Sequence, residues 1–424
     1  MLDINLIRET PDVVKAGLVK RNMDPALVDT AASLDARRRE LLVQVEALKA
    51  ERNAVSKEIS TMQDKAAKEA RIADMRAVGD KIGALDTELA AIDADFEATI
   101  SVIPNIVEER VPAGGEENNI VAKEWGDKPS FDFEAKPHWE LGEQLGIIDF
   151  EAGVRVTGSR FYVLSGAGAR LQRALISWML DLHSRQGYTE KYTPFMVKGA
   201  TLYGAGQLPK FKDNLYKDAE EDLYMIPTAE VPLTGLHMGE ILAEEQLPLR
   251  YTAYSPCFRR EKMSAGRDVR GIKRGHQFDK VEMYKFTTPE QSEAEFEQMV
   301  ADAEVTCQAL GLPYRLLLKA AGDTSESAHI SYDIEIWAAG CNEWLEVSSI
   351  SKVGDFQARR AGIKYRAAGE KGSRFLHTIN GSGLGLPRTL IGVLENYQQA
   401  DGSVIVPEVL RPWMGGIERI AAGE

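Results

Sequence analysis

Cysteine is scarce in this chain: Cys257, Cys307 and Cys341 are the only three among 424 residues. They are too few and too scattered for a disulfide framework or a metal cluster, so no zinc is expected. No apolar run approaches the roughly 20 residues that cross a bilayer, and Met1-Leu2-Asp3-Ile4-Asn5 is not a basic n-region followed by an apolar stretch. No membrane association and a cytoplasmic location are therefore expected. Positive charge is in deficit too. Lys+Arg 51 against Asp+Glu 65 leaves a net charge of -14, which opposes uniform adhesion to nucleic acid and confines any such contact to a local patch. Several signatures are missing as well. There is no G-x-x-x-x-G-K-[ST], and Gly166-Ala167-Gly168 runs on to Leu171 where a dinucleotide fingerprint needs Gly or Ala. The six histidines form no H-E-x-x-H, and no serine sits in G-x-S-x-G. What is there is globular: 44% hydrophobic and 27% charged residues, with length for two or three domains.

Between Pro25 and Pro104 there is no proline, and the only glycines are Gly79 and Gly83, so long uninterrupted helix is permitted. Met75, Val78, Ile82, Leu85, Leu89, Ile92 and Phe96 follow alternating steps of three and four, a heptad seam without a gap. Upstream, Leu34, Leu41, Leu48, Val55 and Met62 recur every seven residues, with Val45 and Ile59 between them and Arg38 and Arg52 interrupting. A polar patch from Gln63 to Lys68 separates the two seams and predicts one antiparallel coiled-coil hairpin over about 27–100. From Arg37 to Arg76 it carries ten Lys/Arg against seven Asp/Glu, and from 77 to 100 one Lys against six acids. Arg37, Arg39, Lys49, Lys57, Lys65, Lys68, Arg71 and Arg76 form a basic strip. A solvated surface, a dimerisation rod and a phosphate-tracking strip all fit that composition.

The division expected is an N-terminal domain over 1–110, a linker over 111–136 with little periodicity, and a catalytic domain over 137–424. Short alternating runs such as Lys280–Phe286 and Tyr332–Trp337, with helices between them in no regular βαβ order, favour an α+β domain with an antiparallel sheet. Four places concentrate polar chemistry. Phe258-Arg259-Arg260-Glu261, a charged loop, and His276 to Glu282 read as a hairpin, either a surface salt-bridge ladder or a phosphate clamp. Thr228-Ala229-Glu230 reads as a helix cap or a polar pocket. Glu346-Val347-Ser348-Ser349 offers oxygens that suit a hard cation. Gly381-x-Gly383-x-Gly385 before Arg388 lets backbone approach backbone or ligand and sets an Arg at a helix start.

Taken together these strings resemble the seryl-tRNA synthetases, class II aminoacyl-tRNA synthetases of bacterial type, and the resemblance runs end to end. Gly187 through Pro194 is similar to class II motif 1, Phe258-Arg259-x-Glu261 through Glu282 to motif 2, and the glycine run with Arg388 to motif 3. Thr228 to Thr234, Gln207 to Phe211, His276 to Glu282, Asp355 to Arg360 and His377 to Gly383 resemble strings diagnostic of the seryl family. The resemblance implies a six-stranded antiparallel catalytic sheet, a helical arm and a homodimer. It also implies ATP, serine and Mg²⁺ as ligands, and as partner tRNA(Ser) with its long variable arm, extending to tRNA(Sec). Carried over, Arg259 holds the α-phosphate, Glu261 the adenine edge, Phe278 the adenine face and Arg388 the γ-phosphate, with Arg260 beside Arg259. Glu346 and Ser349 meet metal and ATP, with Val347 and Ser348 next to them. Thr228, Ala229, Glu230, Glu282 and Ser382 form the serine pocket, and the basic strip grips the tRNA.

The sequence departs from the family pattern at Lys262-Met263 (usually Ala-Gly), Gly235 (usually Asn), Ile350 to Val353 (often Cys-Ser-Asn-Cys) and Pro387 (usually Gly). Drift and a specialised, inhibitor-resistant copy both accommodate these changes. A paralogue that loads amino acids onto a carrier protein is a further alternative, although such relatives lack the long arm.

Overall fold

The computed structural model describes residues 1–262 and 270–423, and Met263 lies outside the described residues. The chain divides into two compact units. One comprises Leu2–Val19 and Met23–Pro104, and the other Met1, Lys20–Asn22 and Asn105–Glu424.

In the first unit, helices α1 (Ala26–Thr61) and α2 (Lys65–Ile100) have 36 residues each, about 54 Å of helix apiece. Only Met62 to Asp64 separates them, and the Asp64 side chain caps α2 by accepting from Ala66 N at 2.9 Å and Ala67 N at 3.3 Å. Their pairing is antiparallel, because Arg38 meets Asp93, Lys49 meets Asp86 and Arg71 meets Glu58. The seam residues Leu41, Val45, Val55 and Ile82 are buried. Arg38, which breaks the seam pattern, lies over the Phe96 ring at 5.7 Å and pairs with Asp93 at 2.5 Å.

The second unit is built on an eight-stranded sheet. Its strands are β1 (Ile120–Trp125), β2 (Thr189–Glu190), β3 (Leu249–Phe258), β4 (Gln277–Thr287), β5 (Tyr314–Leu318), β6 (Ile330–Ala338), β7 (Glu343–Gly354) and β8 (His377–Gly385). They lie in the order β1-β5-β6-β7-β8-β4-β3-β2. The inner strands from β5 across to β3 form the antiparallel catalytic sheet expected, and two edges are added to it. The short β2 runs parallel to β3. At the other edge β1, from the stretch 111–136 expected to be a linker, pairs antiparallel with β5. Its side chains are almost all exposed, so no alternation of apolar and polar residues announces it.

Helices α3 (Gly166–Arg185), α4 (Ser292–Ala309) and α5 (Leu386–Asn396) belong to the large apolar cluster with the sheet, through Leu175, Met179, Phe296, Met299, Leu390 and Leu394. Strand alternation sends Val281, Met283, Ile350 and Ile379 into that cluster. Their neighbours Lys280, Glu282, Ser349, Ser351, Asn380 and Ser382 line a cavity. Gly381 and Gly383 serve the core rather than a ligand. A Cβ on Gly383 would sit 2.2 Å from His183 Nε2, and one on Gly381 would sit 2.9 Å from Ile350 Cγ1. Gly385, by contrast, lines the cavity.

Candidate active site

The cavity has a volume of about 260 Å³. Arg259 and Arg388, separated by more than a hundred residues in the chain, both line it. So do Thr228, Glu230, Glu261, Phe278, Glu282, Glu346, Val347, Ser349 and Ser382. Lys273, Arg274, Lys280, Asn380, Ser325 and Ser327, which were not singled out as site residues, line it too.

Three of the expected residues are not among the lining set. Ala229 is fully buried in a separate apolar cluster with Leu233 and Tyr251. Arg260 contributes a backbone N–H to Asn214 O at 2.9 Å. Ser348 is buried and its hydroxyl donates to Ser382 O at 2.6 Å. The reason Ser348 turns away is a β-bulge. In the β6–β7 register Glu335 faces Glu346 and Ile334 faces Ser348, so Val347 is the extra residue. Strict alternation would put Glu346 and Ser349 on opposite faces; the bulge resets the phase and brings both to the cavity.

One group of side chains is acidic. Thr228 Oγ1 donates to Glu282 Oε2 at 3.3 Å and accepts from Glu230 N at 3.2 Å, just ahead of the short helix Glu230–Gly235, and lines the cavity. Glu230 Oε1 accepts from Gln357 Nε2 at 2.6 Å and from Asn380 Nδ2 at 3.1 Å. Burial and then the neighbouring Glu282 push the Glu230 carboxyl up to about 7, against the pull of Lys280, Gln357 and Arg259. Glu282 itself pairs with Lys280. Such an arrangement can accept a ligand ammonium, which would replace the repulsion between the two carboxylates by attraction.

The other group is cationic and sits at the ends of β4, β7 and β8. Arg259 N donates to His276 O at 2.9 Å, closing the hairpin at its root, and its Nε donates to Pro227 O at 3.3 Å. Its guanidinium lies 5.0 Å from the centre of the Phe278 ring. Glu261, at φ 50°, pairs with Arg274 at 3.1 Å. Arg388 donates to Lys273 O at 3.3 Å and Glu346 O at 2.9 Å, which joins the start of α5 to the hairpin and to β7. Desolvation by its neighbours works against ionisation of the exposed Glu346, yet Arg388, Lys319, Arg259 and Arg274 together hold its carboxyl below the ordinary value. Arg259 thus acts electrostatically on both Glu230 and Glu346 and is shared by the two groups.

The oxygen donors near Glu346 suit a hard divalent cation. Ser349 lies opposite Asp333 in the β6–β7 register, and the buried Asp333 accepts from Lys319 through Oδ2 at 2.7 Å. Burial and the nearby Glu346 push the Asp333 carboxyl up to about 7, against the pull of Lys319 and a hydrogen bond from Ser349. A cation would relieve that clash.

The root of the hairpin is held from behind. His138 Nε2 accepts from Ile272 N at 3.1 Å, and Nδ1 meets Glu395 Oε1 at 2.7 Å on α5, the helix that carries Arg388. Glu395 also accepts from Cys341 N at 2.8 Å and Cys341 Sγ at 3.1 Å. Gly271, at φ 71°, leaves room for that imidazole, since a Cβ there would lie 2.0 Å from His138 Nε2.

The departures from the family pattern have local packing accounts. A Cβ at 235 would approach Thr201 Cγ2 to 2.7 Å, so Gly235 permits the close approach. Ile350 enters the core, Ser351 Oγ lies 2.7 Å from Ser331 Oγ, and Lys352 pairs with Glu108 at 2.5 Å. Pro387 falls in the first turn of α5, where a missing N–H costs nothing. Lys262 N donates to Asn214 Oδ1 at 3.1 Å and the side chain is exposed.

Along the helical hairpin the basic strip divides in two. Arg37 pairs with Glu88 and Glu40, Arg39 with Asp35, Lys49 with Asp86, and Arg71 more loosely with Glu58 and Asp74. Lys57, Lys65, Lys68 and Arg76 have no ion pair among the described residues.

A family model described as the seryl-tRNA synthetase N-terminal domain matches residues 1–107, and one described as the tRNA synthetase class II core domain (G, H, P, S and T) matches 210–397. The chain is 63% identical over 423 residues to the serine–tRNA ligase of Roseiflexus sp. (strain RS-1), covering 99% of each. It is 56% identical to that of Chloroflexus aurantiacus (strain ATCC 29366 / DSM 635 / J-10-fl), covering 99% of this chain and 100% of the relative. Among solved structures, seryl-tRNA synthetase from Pyrococcus horikoshii complexed with ATP superposes with a TM-score of 0.92 at 36% identity, covering 100% of both chains. The fold is the class II synthetase fold with an N-terminal helical arm.

Proposed function

Because the chain belongs to the seryl-tRNA synthetase family, we propose that its cavity activates serine with ATP to seryl-adenylate and passes the seryl group to the 3' end of tRNA(Ser). The observation that carries this reading is the meeting of Arg259 and Arg388 in one cavity with the Glu230–Glu282 pair. Serine's carboxylate oxygen attacks the α-phosphorus, the bond to the β-phosphate oxygen breaks, and pyrophosphate leaves with the electron pair. The 3'-terminal ribose hydroxyl then attacks the seryl carbonyl and AMP departs. Neither step needs a protein nucleophile. Both need charge neutralised and reactants aligned.

The residues divide that work. Glu230 and Glu282 take the ammonium of serine, while Thr228 and Ser382 meet its hydroxyl. A pocket that must hydrogen-bond that hydroxyl rejects alanine strongly, because its own polar groups would be left unpaired. Arg259, whose charge acts on both the carboxylates and Glu346, holds the α-phosphate together with serine's carboxylate. Arg388 holds the γ-phosphate, Glu261 the adenine edge and Phe278 the adenine face. Glu346 and Ser349 would hold Mg²⁺, which would supply further neutralisation of the triphosphate.

The arm offers tRNA(Ser) a backbone-reading surface at its long variable arm. The unpaired Lys57, Lys65, Lys68 and Arg76 are better placed for phosphates than the ion-paired Arg37, Arg39 and Lys49, because they need break no pair to bind. The same reading extends to tRNA(Sec), to a homodimer and to a cytoplasmic location. No helix among the described residues is long and apolar enough to cross a membrane. The family match over 1–107 favours tRNA over a carrier protein as the acceptor. Serine-dependent ATP–pyrophosphate exchange, followed by charging of a long-arm tRNA with serine, threonine and alanine in parallel, tests the assignment. Exchange and charging with serine alone are expected, and exchange without charging would point to a different acceptor.

A further inference from the structure

Arg21 belongs by sequence to the stretch 1–110 expected to serve tRNA, yet Lys20–Asn22 are part of the sheet-bearing unit. Its side chain is buried, at 5% exposure, and every N–H of its guanidinium is spent on that unit. Nε donates to Asn105 O at 3.1 Å, Nη1 to Ala321 O at 3.1 Å and Thr324 O at 2.9 Å, and Nη2 to Ser325 O at 3.3 Å and Ala328 O at 2.8 Å. No carboxylate is among these acceptors. Five main-chain carbonyls instead face one cation, four of them from the irregular loop 319–329 that joins β5 to β6.

That loop has no secondary structure to hold it, and buried carbonyls of an irregular segment need donors from elsewhere. A planar guanidinium with five N–H groups in fixed geometry can organise them at once; a lysine ammonium has three donors on one atom and cannot. Asn105 completes the clamp, its Nδ2 donating to Ser327 O at 2.9 Å and Val353 O at 2.8 Å. Gly322 lets the loop close on its neighbours, since a Cβ there would lie 2.7 Å from Gly114 O. The clamped segment ends in the active site. Ser325 and Ser327 line the cavity with their hydroxyls 3.1 Å apart, and Ser327 Cβ is 3.7 Å from where a Cβ on Gly206 would stand. Next to Gly206, Ala205 O accepts from Gln357 Nε2 at 3.0 Å, and the same amide donates to Glu230.

We propose that Arg21 is a positioning residue for amino-acid activation: it fixes the loop 319–329 so that Ser325 and Ser327 complete the wall of the pocket on the Glu230 side. It acts through the loop and touches no substrate. This rests on the reading of the cavity as the site of serine activation, and the test separates the two. ATP–pyrophosphate exchange needs no tRNA, so an arm residue concerned only with tRNA leaves it untouched.

Arg21→Lys, checked for folding by its thermal melt, is expected to raise KM for serine in exchange by about tenfold to a hundredfold, the scale of a misplaced positioning group. KM for ATP should stay close to that of the wild type. Asn105→Asp, which withdraws the two Nδ2 donors and leaves the guanidinium in place, is expected to move KM for serine in the same direction by less. It carries the test if Arg21→Lys does not fold. A folded variant with the wild-type KM for serine overturns the proposal, and so does an equal rise in both KM values with a lowered melting temperature, which marks general loosening. A wild-type protein with no serine-dependent exchange would remove the underlying reading itself.

Discussion

The acidic and the cationic sides of the cavity solve opposite problems with the same materials. Around Glu230 and Glu282 like charges are brought together, and burial raises the Glu230 carboxyl to about 7. Around Glu346 the surrounding Arg388, Lys319, Arg259 and Arg274 outweigh desolvation and hold the carboxyl low. The first side is short of positive charge and can be completed by an ammonium. The second has cations in excess and can be completed by phosphates. The difference teaches that polarity of the site, and so the direction proposed for serine and ATP, is set by which cations each carboxylate is given. Arg259 is the residue the two sides share.

Removing the shared residue should therefore do most damage. Arg259→Ala is expected to lower serine-dependent exchange by about 10³-fold, and Arg259→Lys to recover only part of it, since a point charge lacks the planar fork. A smaller loss, about a hundredfold and mainly in KM for ATP, is expected for Arg388→Ala, which strips the cationic side alone. Equal effects of Arg388→Ala on serine and ATP would erase the distinction between the sides.

The acidic side has a pH signature. Serine's ammonium favours ionised Glu230, so at pH below about 7 binding must displace a proton. KM for serine should then rise by about tenfold for each unit the pH falls below that value, while KM for ATP follows a different profile. In Glu230→Gln the slope should vanish. The folded state shows the same sign: a carboxyl raised on folding withdraws stability as pH rises from its ordinary value of 4.5 toward about 7. The smallest effects on exchange belong to the arm. Replacing Lys57, Lys65, Lys68 and Arg76 by Ala should weaken aminoacylation through KM for tRNA, with exchange unchanged. The salt slope should fall by about 0.7–0.9 for each phosphate no longer neutralised. Deleting about residues 30–97 should cripple charging and spare exchange, since Arg21 remains.

How much of this was legible in the sequence depends on the range of the physics involved. The hairpin was, because Leu41, Val45, Val55 and Ile82 repeat at the helical period and no proline or interior break interrupts them. The strand bearing Glu282 was, because alternation from Lys280 to Phe286 marks its faces. Three features were not. The bulge at Val347 changes strand phase without a sequence mark, so Ser348 was grouped with Glu346 and Ser349. The edge strand Ile120–Trp125 exposes nearly all its side chains, which removes the pattern that would reveal it. Arg21 meets carbonyls some 300 positions away, and carbonyl acceptors are present at every residue, so nothing in the composition singles them out. The ion pairing of Arg37 and Lys49 likewise depends on the register between two helices, which neither helix specifies alone.

A crystal structure of the protein with ATP bound tests the central claim most directly. One triphosphate is expected in the cavity with the Arg259 guanidinium at its α-phosphate and that of Arg388 at its γ-phosphate, each within hydrogen-bonding distance of about 3 Å. ATP held by one of these arginines while the other faces solvent or a different ligand would contradict the account.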